Sequence, residues 1–255
     1  MESCVSNGTL RDRLNSKWIK KFSMTSLIGG KSRKARQRET FFERVQAVSE
    51  LASAISYLHS KNIMHGDIVP ENIGFGQILD NTSSCGNNDS NSTTGLKLFN
   101  FARSRVLKTR DGQLSTQAYD LTLVAYSPMV GTLPYAAPEI GITDRHCCGL
   151  GVDTYAFAII AWEMLTLKTA LDDFHQYLME NAQQHVAIAP KLNAANAELE
   201  PFHTILEQCW NTNPQFRTRM DTIHDIIQQT GREFQYRSSF VKKTSNAAPN
   251  CVPAI

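Results

Sequence analysis

Apolar residues recur every three or four positions along the stretch of chain that begins at Phe41. The recurring positions are Phe41, Val45, Val48, Leu51, Ile55 and Leu58. This spacing places them on one face of a helix, so the pattern predicts a long amphipathic helix that ends near His59 to Asn62.

A second helical stretch, DTYAFAIIAWEMLT (Asp153 to Thr166), is apolar on nearly every side. A helix of this kind is buried in a globular protein, so we place it at the centre of the fold. Further helices are predicted at residues 172–185, 198–210 and 218–229, and the tail after Ser238 is expected to be frayed.

Strand patterns are few and lie close together in the sequence. Short extended segments are predicted at NIMHGD and NIGFG, and LKLFNFA (Leu96 to Ala102) predicts a strand followed by a turn. Residues 80–95 are almost entirely polar, which is typical of a disordered insertion. Helices dominate, and the expected fold class is α+β, mainly α-helical.

Composition narrows the class of protein. The chain has 255 residues, of which 42% are hydrophobic and 20% charged, as in ordinary soluble globular proteins. A net charge of +2 gives no support for nucleic-acid binding. The opening residues MESCVSNGTLRDRL lack the apolar core of a signal peptide, and the longest apolar run, Tyr155 to Trp162, is too short to span a bilayer. We therefore expect a cytoplasmic protein with no membrane partner.

The six cysteines do not form metal-binding or redox spacings. No CxxC occurs, and Cys147 and Cys148 are adjacent, which suits neither a tetrahedral zinc site nor an ordinary disulfide. Reduced thiols are the expected state.

A basic run, KSRKARQR (Lys31 to Arg38), precedes the predicted long helix. Such a run is found in nuclear-import signals and in surfaces that bind acidic partners. It is also typical of a solvated charged helix face, which is the more common case. A nuclear location therefore remains open beside the cytoplasmic one.

The stretch HGDIVPEN carries a carboxylate, Asp67, and a carboxamide, Asn72, around a proline that excludes an ordinary helix. One interpretation is that the two side chains cap a turn. The other is that a chemical site needs an acid and an amide on one stiff loop.

Five motifs in order favour the second interpretation. HGDIVPEN is followed by LFNFA, GTLPYAAPE (Gly131 to Glu139), DTYAFAIIAWEM and CWNTNPQFR (Cys209 to Arg217). The series resembles the C-terminal lobe of a eukaryotic protein kinase of the Ser/Thr or tyrosine-kinase-like type.

The resemblance implies roles for individual residues. Asp67 matches the base that accepts the proton of the substrate hydroxyl, and Asn72 matches an amide that holds Mg²⁺. Asn100 occupies the position of the family's principal Mg²⁺ ligand, and Gly74 lies where the family has an apolar floor for adenine. ATP and Mg²⁺ are the implied cofactors, and a protein is the implied substrate or partner.

Several positions depart from the family pattern. Gly66 replaces an arginine that pairs with a phosphate on the activation segment, and Val69 replaces a phosphate-contacting lysine. Asn100 replaces an aspartate, so the principal carboxylate for Mg²⁺ is lost.

The residues that shape the kinase scaffold are better kept. Glu139 and Arg217 match a buried ion pair that ties the activation segment to the helical lobe. Asp153 matches the residue that anchors the catalytic loop, while His65 and Phe101 match the C-lobe half of a hydrophobic stack.

The resemblance also sets the expected domain limits. MESCVSNGTLRDRL resembles the hinge and the helix after it, and no G-x-G-x-x-G motif occurs. We therefore expect a hinge and C-lobe over residues 1–235, interrupted by the insertion, and a flexible tail over 236–255.

Two functions remain open at this stage. The first is a pseudokinase that acts as a binding or scaffold module. The second is the C-lobe of a Ser/Thr-type protein kinase that transfers the γ-phosphate of ATP to protein hydroxyls when an N-lobe is present. Asn100 favours the first, whereas Asp67 and Asn72 support the second.

Overall fold

The computed structural model describes residues 7–18, 31–77, 94–107, 124–125, 135–140, 147–169 and 199–245. The helices in these ranges are α1 (Leu10–Asp12, continued by a π-helical turn over Arg13–Trp18), α2 (Lys31–Ser60), α3 (Gly151–Thr166), α4 (Glu200–Cys209) and α5 (Met220–Ser245). The strands are β1 (Ile63–Met64), β2 (Ile73–Gln77), β3 (Thr94–Leu98), β4 (Arg105–Val106), β5 (Val124–Ala125) and β6 (Cys147–Cys148). The mainly helical α+β prediction is confirmed. None of the described helices combines the length and the apolar composition that a bilayer crossing requires.

The centre of the fold is α3, in which every side chain from Val152 to Leu165 is buried. The prediction of a helix buried on all sides is therefore confirmed. Two of its buried residues are acids, Asp153 in the first turn and Glu163 near the end. Since a helix rises about 1.5 Å per residue, these carboxylates lie roughly 15 Å apart along the axis and serve separate regions.

The apolar face of α2 packs on both C-terminal helices. The Phe41 ring lies 5.2 Å from the ring of Phe234 in α5 and 6.4 Å from that of Phe202 in α4. All the predicted face positions are buried except Leu58, which is half-buried. The amphipathic prediction for this helix is confirmed from Phe41 onward.

The N-terminal end of α2 differs from the prediction. The helix begins at Lys31, so the basic run is part of it and does not precede it. Lys, Arg, Gln and Ala are good helix formers, and no apolar period marks this stretch. Periodicity alone therefore placed the helix start ten residues too late.

The C-terminal end of α5 also differs. The helix continues to Ser245, whereas the prediction ended it at residue 229 and expected a flexible tail from residue 236. Gly231 lies inside the helix, where glycine costs about 1 kcal/mol relative to alanine. The packing of Phe234 on Phe41 offsets that cost, and helices routinely owe their stability to such tertiary contacts.

Antiparallel strand pairs bring the loop residues together. β2 pairs with β3, with Ile73 opposite Leu98. Asn72 directly precedes β2 and Asn100 comes two residues after β3, so both lie at the same end of this strand pair. β1 pairs with β4, with Met64 opposite Arg105. This second pair brings the start of the HGDIVPEN loop beside the chain that follows Asn100.

Two further predictions concern regions that are only partly described. Thr94 and Gly95, assigned to the disordered insertion, belong to β3, and residues 80–93 lie outside the described residues. The predicted helix at 172–185 lies outside them as well.

Arg44 fastens α2 to the end of α3. Its guanidinium is buried and donates from Nη1 to the carbonyl oxygens of Met164 at 3.1 Å and Leu165 at 2.8 Å. The last carbonyls of a helix have no partner within the helix, and the negative end of its dipole favours a cation. The guanidinium of Arg44 supplies both the hydrogen-bond donor and the positive charge at this end of α3.

Candidate active site

The loop between β1 and β2 carries Asp67 and Asn72 on a backbone with two fixed features. Gly66 has a φ of 75°, in the left-handed region that favours glycine. Pro70 begins a 3₁₀ turn, Pro70–Asn72, which leads directly into β2. A glycine at position 66 therefore serves the shape of this loop in addition to removing a cation.

Asp153 holds the start of the loop from the first turn of α3. Its Oδ2 accepts the backbone N–H of His65 at 2.7 Å, and its Oδ1 accepts that of Gly66 at 2.8 Å. The Nε2 of His59, at the end of α2, lies 3.1 Å from Oδ2. The buried carboxylate thus has charge-assisted partners on both oxygens and lies in the first turn of its helix, where negative charge is favoured.

Asp67, Asn72 and Asn100 form a continuous hydrogen-bonded chain. The Nδ2 of Asn72 donates to the backbone oxygen of Asp67 at 2.9 Å and to its Oδ2 at 3.0 Å. The Nδ2 of Asn100 donates to the Oδ1 of Asn72 at 3.1 Å. Asn100 has a φ of 64°, a conformation that asparagine tolerates better than most residues.

The other oxygen of Asp67 pairs with a cation. Arg103 Nη1 lies 3.1 Å from Asp67 Oδ1, and the side chains are 37% and 10% exposed, respectively. Arg103 ends the 3₁₀ turn Phe101–Arg103 that follows Asn100. The motifs that predict the site include the missing cation at Gly66 but not Arg103, for which an arginine three residues after Asn100 is the available sequence signal.

The two loops that meet here are joined along their backbones. His65 Nε2 lies 3.1 Å from the carbonyl oxygen of Phe99, whose N–H donates to the carbonyl of Asn72 at 3.1 Å. The hydroxyl of Ser104 donates to the carbonyl of His65 at 3.1 Å. The rings of His65 and Phe101 lie 5.0 Å apart, with His65 buried and Phe101 48% exposed. The side chains of the site are therefore held by a common framework.

Gly74 lies two residues beyond Asn72, inside β2. It is buried, faces Lys97 across the strand pair and forms an isolated bridge with Thr9 before α1. Its proposed part in an adenine site stays a prediction.

Glu139 and Arg217 form a two-pronged ion pair. Arg217 donates from Nη1 to Glu139 Oε1 at 2.6 Å and from Nη2 to Oε2 at 2.7 Å. The arginine also donates to the carbonyl oxygens of Gly151 and Asn211, both at 2.8 Å. Its side chain is 1% exposed, so the pair expected from the motifs is present and buried on the arginine side.

Comparison with known families agrees with this geometry. The model of the protein kinase domain matches residues 6–229. The chain belongs to the protein kinase family. Kinases of this family transfer phosphate from ATP with the help of Mg²⁺, and their substrates include proteins.

Several of the similar proteins are named as serine/threonine-protein kinases. The chain is 32% identical over 133 residues to serine/threonine-protein kinase PKH2 of Saccharomyces cerevisiae, covering 51% of this chain and 10% of that protein. It is 24% identical over 208 residues to the probable serine/threonine-protein kinase gdt4 of Dictyostelium discoideum, covering 80% of this chain and 11% of that protein. It is 28% identical over 195 residues to the probable serine/threonine-protein kinase nek1 of the same organism, covering 76% of this chain and 36% of that protein. The chain thus spans about a third of these relatives or less.

The side chains at the two metal positions do not fit the Mg²⁺ ion of the family. Mg²⁺ prefers charged oxygen ligands. Of the two positions that match metal ligands of the family, Asn100 supplies an uncharged amide, and the Oδ1 of Asn72 already accepts a hydrogen bond from it. Within the part of the chain that is described, no three or more His, Cys, Asp or Glu side chains are grouped to hold a metal ion.

A second polar cluster beside the kinase loop was not predicted. The Tyr135 hydroxyl lies 3.0 Å from Glu163 Oε2 and accepts a hydrogen bond from Arg11, whose Nε donates to Glu71 at 2.8 Å. Burial and the negative charge of Glu163 raise the pKa of Tyr135 well above its usual range, so the phenol stays protonated. The cluster ties α1, the loop, the described segment 135–140 and α3 together. Its members are far apart in sequence, and only a tertiary fold reveals them.

Proposed function

We propose that this protein kinase domain is catalytically impaired and acts as a binding or scaffold module for a protein partner. The observation that carries the proposal is the amide of Asn100, which donates a hydrogen bond to Asn72 at 3.1 Å. A carboxylate at this position would repel the amide oxygen and attract a metal ion. An amide satisfies that oxygen without any ion, so the arrangement is stable without Mg²⁺.

The part that metal-ion charge plays in phosphoryl transfer supports the proposal of impaired catalysis. Catalysis of phosphoryl transfer rests on positioning and on charge stabilisation by bound metal ions. The retained scaffold contacts, Asp153 with the loop and Glu139 with Arg217, supply positioning alone. A domain that keeps its fold but lacks the metal-binding carboxylate can still present a surface to a protein partner.

The second candidate is an active kinase in which this lobe works together with an N-lobe. The geometry of Asp67 favours it, since Asn72 still orients the carboxylate through a 3.0 Å hydrogen bond. In this case Asp67 would accept the proton of a substrate hydroxyl, once Arg103 moved away from Oδ1.

A relative illustrates how such a domain can be placed in a larger protein. The human protein named ankyrin repeat and protein kinase domain-containing protein 1 is 24% identical over 179 residues, which cover 68% of this chain and 20% of that protein. Its name pairs a kinase domain with a repeat region. We propose a comparable setting, in which this domain presents a surface to a protein partner.

We expect the chain to bind Mg-ATP too weakly for a micromolar dissociation constant, because the metal-binding carboxylate of the family is missing at position 100. Isothermal titration calorimetry checks this, with ATP in EDTA as the matched control. A dissociation constant of about 1 μM, equivalent to roughly 8 kcal/mol, would contradict the proposal.

The two candidate functions can be distinguished in a protein in which a complete N-lobe precedes this chain. Asn100→Asp should raise phosphoryl transfer several-fold, because it restores a charged ligand. Asp67→Ala should lower any transfer by about a hundredfold or more, the usual contribution of a positioned base. Radiolabelled phosphate transfer to a generic protein substrate measures both. No gain with Asn100→Asp and no loss with Asp67→Ala would remove both assigned roles.

A further inference from the structure

Two helices, α2 and α5, continue beyond their aromatic contact on the same side of the fold. The ring of Phe41 in α2 lies 5.2 Å from that of Phe234 in α5, and Gly231 lies against Val45. These two contacts run in opposite directions along the two chains, so the helices are antiparallel. From the Phe41–Phe234 contact, α2 continues to its first residue and α5 to its last, over about 15 Å each. The two ends therefore extend in the same direction.

These two helix ends are strongly basic. We call residues 31–39 of α2 together with residues 232–245 of α5 the basic helix pair. It has nine lysines and arginines against two glutamates, which gives it a net charge of +7. The cations are Lys31, Arg33, Lys34, Arg36, Arg38, Arg232, Arg237, Lys242 and Lys243. Since the whole chain has a net charge of +2, the rest of the chain carries −5. The positive charge of this protein is thus concentrated on one part of it.

The basic start of α2 is electrostatically unfavourable without an anion beside it. The positive end of a helix dipole lies at the N-terminus, and the first turn of α2 contains no acidic residue. Arg38 and Arg232 are exposed, and Arg232 donates to the neutral Oε1 of Gln228 at 3.1 Å, so this contact leaves its charge uncompensated. An anion that covers these cations would stabilise the helix end.

We infer that the basic helix pair docks a carboxylate-rich segment of a protein partner. Five of its nine cations are arginines, whose planar guanidinium binds a carboxylate through two parallel hydrogen bonds. The α5 part of the pair is about 20 Å long, which an extended segment of about six acidic residues would match. Residues 232–245 lie beyond the match to the protein kinase domain at residues 6–229, so this surface is an addition to the family's motifs.

The distribution of charge and of apolar residues favours an acidic protein segment over other polyanions. A long nucleic acid would run past the basic helix pair and meet a domain whose remaining net charge is negative, whereas a short acidic segment stays on the pair. A helix that binds a lipid surface inserts an open apolar face. In α2 the apolar face begins at Phe41, which packs on Phe202 and Phe234.

This inference names a partner class for the binding module proposed above, and in that respect it rests on the proposed function. The two can nevertheless fail separately. Tight Mg-ATP binding by the unaltered protein would contradict impaired catalysis and leave the basic helix pair as it is. A failure to bind an acidic segment would leave the description of the cleft unchanged.

Fluorescence anisotropy of a labelled hexaglutamate, titrated with the full chain at low salt, tests the inference. We expect saturable binding that R36E/R38E on α2 and R232E/R237E on α5 each weaken by at least about tenfold, because two attractive charges become repulsive. Glutamate near the start of α2 is favoured by the helix dipole, so R36E/R38E should fold. Circular dichroism establishes that each variant is folded.

The variant R105E/R219E is the matched control. It changes the net charge by the same amount on two exposed arginines, one in β4 and one just before α5, about 20 Å along that helix from Arg232. Charges this far from the docked segment are largely screened, so hexaglutamate affinity should change less than about threefold. Bound hexaglutamate should also slow amide hydrogen exchange at residues 31–38 of the unaltered chain severalfold, because it stabilises this helix end.

The inference is wrong if hexaglutamate shows no saturable binding, if R105E/R219E weakens binding as much as R36E/R38E does, or if only one of the two helices contributes. Tighter binding of a charge-matched oligouridylate, or of vesicles of phosphatidylcholine and phosphatidylserine in equal parts, would also overturn it. The surface would then recognise a different class of partner.

Discussion

Replacement of Arg217 by alanine should destabilise the protein by about 3–5 kcal/mol, because it leaves the carboxylate of Glu139 without its cation in a largely desolvated site. Arg217 makes two hydrogen bonds to Glu139 and two to the carbonyl oxygens of Asn211 and Gly151. A loss of this size is a large fraction of the roughly 5–15 kcal/mol that holds a typical domain folded. We expect insoluble protein or a strongly lowered midpoint of chemical denaturation.

Arg219→Ala is the matched control for this experiment. Arg219 also forms an ion pair, with Asp221 at 2.8 Å, but both side chains are about half exposed. Exposed pairs contribute under about 1 kcal/mol, so this variant should unfold almost as the unaltered protein does. Equal, small shifts in the two variants would show that the Glu139–Arg217 pair does not stabilise the fold.

Asp153→Ala should have the second large effect, with a cost of about 2–6 kcal/mol and a loosened loop between β1 and β2. The substitution removes the acceptor of the buried His65 N–H and of the partly buried Gly66 N–H, and each hydrogen bond lost in this way costs about 1–3 kcal/mol. It also removes the acceptor that faces His59. Chemical denaturation gives the stability, and amide hydrogen exchange at residues 65–67 reports the loop.

Asp221→Ala provides the control for Asp153. Both aspartates lie in the first turn of a helix, but Asp221 is largely exposed and its hydrogen bonds are local. We expect it to cost about 0.5–2 kcal/mol, as for a helix cap, and to leave exchange at residues 65–67 unchanged. Exchange at the loop that is equally slow in Asp153→Ala would refute the anchoring role.

Much of the fold could be predicted from local patterns. The face of α2 from Phe41 to Ile55 and the all-round burial of α3 follow from spacing and composition, and the structure has both. The helix ends could not be obtained in this way. The start of α2 lacks an apolar period, and α5 continues past Gly231 because Phe234 packs on a helix from the opposite end of the described chain.

The site was predictable only in part for a related physical reason. The resemblance of five motifs was enough to select Asp67, Asn72, Asn100, Asp153 and the Glu139–Arg217 pair. It did not include Arg103, since the contact of Arg103 with Asp67 depends on the β1–β4 pairing and on the turn after Asn100. Nor could it give the hydrogen bond between Asn100 and Asn72, which depends on the register of β2 and β3.

The contact between Phe41 and Phe234 has a practical consequence for where this domain can be cut. The match to the protein kinase domain stops at residue 229, five residues before the phenyl ring that covers Phe41. Expression from a gene trimmed at that point would remove the second half of α5 and uncover an aromatic face on α2. Exposed faces of this kind promote aggregation. Recombinant production should therefore retain the chain at least to the end of α5 at Ser245.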